Sequence, residues 1–124
     1  VPVWTDSGTI NYQKKSEEKL VHMFKNCCVN DILTLLNGKL YRCPFSANVM
    51  NLNAIPINKT DFVDLSDENK TLETIREEIL RLYKNKKYLT ACSYCNGRDY
   101  TTPKIKAAIQ TKIPLKIPSA PTNI

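Results

Sequence analysis

Apolar residues recur at helical spacing in two stretches of the chain. Leu20, Val21 and Phe24 follow Ser16-Glu17-Glu18, a capping serine with two acids at the positive end of a helix dipole, and they predict a helix over 16–26. Leu72, Ile75, Ile79, Leu82 and Tyr83 follow Thr71 in the same way and predict a helix over 72–84 whose stripe faces the core, with Glu77 and Arg81 paired on its outer side. Between them stands Asn37-Gly38, a dipeptide that adopts positive φ at both positions of a two-residue turn, so residues 31–43 read as a β-hairpin. That turn sets Leu36 opposite Lys39, Leu35 opposite Leu40 and Thr34 opposite Tyr41, and it extends the pairing to Leu33 with Arg42 and Ile32 with Cys43.

The remaining pattern is shorter. Pro44 suits the first position of a brief helix through Met50, and Asp61–Leu65 reads as an edge strand. The start of the chain reads as extended through Trp4, a packing anchor, then a turn at Asp6-Ser7-Gly8 and a strand at Thr9–Tyr12; Ile105–Ile109 suggests one more strand or short helix. Prolines at 103, 114, 118 and 121 exclude a long helix beyond Thr101. The fold class expected is therefore a small α+β domain over residues 1–113, with 114–124 as an extended tail.

Eighteen basic residues against twelve acidic give a net charge of +6, which suits an anionic partner, cluster or substrate. The densest run, Lys84-Asn85-Lys86-Lys87, falls where the second helix should end and complements its negative pole, and no aromatic platform accompanies it, which argues against nucleic acid. No apolar stretch is long enough to cross a membrane and none resembles a secretory leader, so the expected setting is the reducing cytoplasm. Asn58-Lys59-Thr60 and Asn69-Lys70-Thr71 then read as chance triplets rather than glycosylation sites. A chain opening on Val1 reads as a piece of something longer.

Five cysteines carry the chemistry. An odd number with no sign of secretion argues for thiolates that hold a metal rather than for disulfides. Cys92-x2-Cys95, followed by Asn96-Gly97, is a knuckle that turns two sulfurs to one side. The hairpin brings Cys43 to its open end; Cys28 lies about 13 Å from Ile32 on a straight strand, so Val29-Asn30-Asp31 must bend back for it to join. Cys28, Cys43, Cys92 and Cys95 are thus the expected ligands, a set that suits either an iron–sulfur cluster or zinc. His22, on the first helix, reads as a surface residue.

The run Cys28, nine residues, Gly38, four residues, Cys43, set in Leu-x-Asn-Gly-Lys-Leu-Tyr-Arg-Cys-Pro and followed by Cys92-x2-Cys95, resembles the C-x(9–15)-G-x4-C signature of SPASM and twitch domains over residues 26–98. These are the auxiliary-cluster domains at the C-terminus of radical S-adenosylmethionine enzymes. The resemblance implies one [4Fe–4S] cluster on four thiolates, zinc being the alternative, and a catalytic barrel as partner that alone binds S-adenosylmethionine and acts on the substrate. The cluster would transfer electrons or help place that substrate. The chain departs from a full SPASM domain: Thr101 stands where a further cysteine belongs and no cysteine follows, which is similar to the shorter twitch type. The catalytic C-x3-C-x2-C motif is absent from the chain, so residues 1–124 alone should not catalyse. Cys27 satisfies the same spacing rule with ten residues before Gly38; Cys28 is preferred because the shorter spacing needs less slack, which leaves Cys27 packed as a small hydrophobe facing the other way.

Overall fold

A computed structural model describes residues 3–99, 101–114 and 116. Ser16 caps the first helix, its Oγ accepting the Lys19 N–H at 3.2 Å, and α1 runs Glu17–Asn26. The chain then turns through 28–31 into a hairpin, β2 (Thr34–Leu36) and β3 (Lys39–Tyr41), after a first strand β1 (Val3–Thr5) near the start. The turn has the geometry its sequence demands, with φ of 50° at Asn37 and 74° at Gly38, and the register is Thr34 with Tyr41, Leu35 with Leu40 and Leu36 with Lys39. The ladder stops there, short of the expected 31–43. Ile32 donates its N–H to Val29 instead, and Cys43 leaves the strand to cap the next helix, α2 (Pro44–Asn51).

Strand β4 (Phe62–Asp64) adds antiparallel to β3, giving the order β2-β3-β4. Tyr41 and Phe62 pair across it with ring centroids 5.4 Å apart. Beneath lies the core, in which Tyr41, Ala47, Met50, Ile55 and Val63 are buried, closed on its far side by Ala91 and Tyr94. A single turn of 3-10 helix, Thr90–Tyr94, supplies those last two residues and carries the Cys92-x2-Cys95 knuckle.

The second long helix departs from expectation in its packing. Thr71 caps it through the Thr74 N–H at 3.1 Å, and α3 runs Leu72–Leu80 before widening into a π turn over Arg81–Asn85. None of α3 is fully buried, and Leu72 is 78% exposed; Ile75 and Ile79 are half-buried, and the stripe is fully buried only at Leu82, in the π turn. The expected Glu77–Arg81 pair gives way to an ion pair between Glu78 and Lys70 at 2.9 Å. Arg42, buried beside Cys43, explains how the helix end is held: its guanidinium stacks on the Tyr83 ring at 4.6 Å and donates to the carbonyls of Leu82 and Tyr83, which have no partner within the helix.

The chain's outer stretches close a second, two-stranded sheet in which β1 pairs antiparallel with β5 (Lys104–Lys106), Trp4 lying opposite Ile105. Trp4 is 51% exposed and so is no packing anchor. Residues 9–12 form no strand, and Ile10 takes a positive φ of 61°. The architecture is α+β, three α-helices with two small antiparallel sheets among the described residues. The expected tail, 114–124, lies outside the described residues save Pro114 and Lys116.

Candidate metal centre

Three separate segments deliver cysteines to one place. Cys27 ends α1 as its C-cap, its N–H bonded to the Phe24 carbonyl at 3.3 Å. Cys43 leaves β3 and caps α2, and Cys92 and Cys95 sit on the 3-10 turn. All four line a single cavity of about 40 Å³, together with Met23, Phe24, Val29, Phe45, Leu89 and Ala91. One buried water needs only about 10–15 Å³, so the space exceeds a packing defect, and its wall is almost wholly apolar. Cys28 lies outside it and is exposed.

The orientation of the adjacent cysteines is thus the reverse of the one expected from spacing. A chain leaving a helix in extended geometry alternates its side chains: Cys27, with ψ of 133°, keeps the direction of α1's inner face, toward Phe24, and Cys28 turns outward. Cys28 contributes its backbone instead, donating its N–H to the Arg98 carbonyl at 2.8 Å.

Backbone donors reach the sulfurs. The Ser46 N–H meets Cys43 Sγ at 3.2 Å, and the Gly97 N–H meets Cys95 Sγ at 3.3 Å. Gly97 adopts φ of 86° to do so, a conformation glycine takes without penalty. Without an ion the thiols stay protonated. Burial pushes Cys43 up to about 11 and Cys92 up to about 12, further raised by the neighbouring thiols and partly offset by backbone N–H groups. Burial also raises Cys27 and Cys95, the latter held back by the Gly97 N–H and by Lys15 and Arg98.

Neither cation is marked by a sequence pattern. Lys15 donates to the carbonyl of Cys92 at 2.7 Å and to that of Cys95, and Arg98 lines the cavity. Nothing in a Lys14-Lys15 pair ahead of a helix, or an arginine after Asn-Gly, signals such a place. Tyr94, between the paired cysteines, anchors the knuckle by burying its ring, which meets Tyr12 edge-on at 5.6 Å. Asp61 anchors it from the other side: its fully buried carboxylate accepts the Thr90 N–H at 2.8 Å through Oδ2 and faces Lys86 Nζ across 2.7 Å at Oδ1.

The donor set is four soft sulfurs, with cations close by and water held back by apolar side chains. Binding of a metal to such thiols would displace their protons. Among the described residues, no three His, Cys, Asp or Glu side chains are placed as ligands of a single metal ion. His22 is exposed and takes no part, and no described helix is long and apolar enough to cross a membrane. No protein-family model matches the chain, and no curated protein matches it significantly.

Proposed function

We propose that this chain is an auxiliary iron–sulfur domain, holding one [4Fe–4S] cluster on Cys27, Cys43, Cys92 and Cys95 for the catalytic barrel of a radical S-adenosylmethionine enzyme. One observation carries the reading: four thiols from three segments surround a single apolar cavity. Cys27 keeps the resemblance intact, since ten residues separate it from Gly38, within the range of the twitch signature. A zinc ion with ligands at about 2.3 Å requires four sulfurs drawn onto one point. Thiols arranged around a space favour a polynuclear cluster.

When bound, the cluster supplies one-electron redox chemistry or a fixed point for substrate. This chain's own residues do the rest. The cysteines bind, the Ser46 and Gly97 N–H groups take up charge on two of the sulfurs, and Met23, Phe24 and Phe45 limit water. The test is anaerobic reconstitution of the full chain with iron and sulfide. Broad visible absorption with iron and acid-labile sulfide in equal amounts supports the reading; a chain that stays colourless and takes up only zinc overturns it in favour of a structural zinc module.

A further inference from the structure

Lys15 lies well before the knuckle in sequence, yet its ammonium bridges the carbonyls of Cys92 and Cys95. The segment that carries it is strapped across the same turn. The Gln13 N–H donates to the Ser93 carbonyl at 2.8 Å, and Gln13 Nε2 donates to Asn96 Oδ1 at 3.0 Å. Carbonyls at the end of a 3-10 turn lack partners within it, so a donor that reaches two of them fixes the turn and the direction of both side chains. Lys15 is half-buried, and burial pulls its ammonium below the ordinary lysine value, opposed by the Cys95 and Cys92 sulfurs and reinforced by the like charge of Lys19.

We infer that Lys15 is a positioning residue of this centre, holding the Cys92–Cys95 turn through its two carbonyls and offsetting the negative charge of the thiolate-bound group so that its reduction potential is raised. The inference rests on the four-thiolate reading above. Four thiolates concentrate negative charge, and reduction adds one more; a fixed ammonium favours the reduced state, and net charge near a cluster is among the factors that set its potential. The two roles separate by substitution. Lys15→Arg keeps charge and donors, Lys15→Gln keeps a donor without charge, and Lys15→Met removes both.

The experiment reconstitutes the full chain and these three variants with iron and sulfide, then measures each reduction potential by optical titration and iron retention against a chelator. Both neutral variants are expected to shift to lower potential, with Lys15→Arg close to the parent. Lys15→Met is expected to hold iron roughly 10- to 100-fold less tightly, as for loss of an outer contact to a metal ligand. If Lys15→Met does not fold, the difference between Lys15→Gln and Lys15→Arg still decides. Equal potentials in the parent, Lys15→Gln and Lys15→Arg, with a loaded cluster, overturn the role of Lys15 and leave the four-thiolate reading standing. A parent chain that takes up no cluster overturns both.

Discussion

At the Cys92–Cys95 end of the cavity the chain is tied to groups distant in sequence: Lys15 and Gln13 from one strap, Ser7 through the Asn96 N–H at 3.0 Å, and Asp61 through the Thr90 N–H. At the Cys27 end the ties are mostly local. Asn30 donates its N–H to the Cys27 carbonyl at 3.2 Å and its side chain to the Lys25 carbonyl at 2.7 Å, and the Cys28 N–H to Arg98 is the contact that crosses over. One end is a scaffold already built, and the other is a loop hung from a helix. A site made this way presents fixed ligands on one side and adapts on the other, so the Cys27 loop is the part that metal binding should order most.

The built side of the cavity depends most on Asp61. Asp61→Ala leaves Lys86 and the Thr90 N–H without their buried carboxylate, and it should cost about 3–5 kcal/mol in urea unfolding and loosen the knuckle. Gly97→Ala comes next. Its added carbon would meet only Met23 Cε at 3.5 Å, so the cost is backbone strain of about 1–2 kcal/mol from φ of 86°. On the other side, Ser16→Ala removes the cap of α1 and should cost about 1 kcal/mol, with faster hydrogen exchange in α1 and the 27–31 loop and little change at 90–95.

The thiols also give a pH signature. Their folded values lie above the ordinary thiol value of 9.0, so the metal-free fold gains most below pH 9 and loses that contribution as pH rises toward about 11 for Cys43 and about 12 for Cys92. Urea midpoints of the metal-free chain should fall across that window, and less so in a Cys92→Ala variant. A midpoint indifferent to pH there would mean that the thiols are not buried as described.

Local chemistry was readable where it acts alone. Asn37-Gly38 set the register of the hairpin, and Ser16, Thr71 and Pro44 began helices where capping chemistry requires. What the sequence concealed depends on where an element lies in space. The stripe of α3 has the period of a buried face, yet Leu72 is exposed, Ile75 and Ile79 are half-buried and only Leu82 is fully buried, beside the helix end that Arg42 holds. The adjacent cysteines were ambiguous for a similar reason: spacing permits either, and only the direction in which α1 ends turns Cys27 inward and Cys28 outward. Lys15 and Asp61 each act through two long-range contacts and Arg98 by lining the cavity, and none of these leaves a periodic trace.

The proposed centre holds one cluster on four thiols around one cavity, with Cys27 the ligand from the adaptable side. Iron bound per chain after anaerobic reconstitution, measured on Cys27→Ser and Cys28→Ser side by side with the parent, tests it most directly. Cys27→Ser should lose the chromophore and most of its iron while Cys28→Ser matches the parent. Iron retained by Cys27→Ser and lost by Cys28→Ser would contradict it.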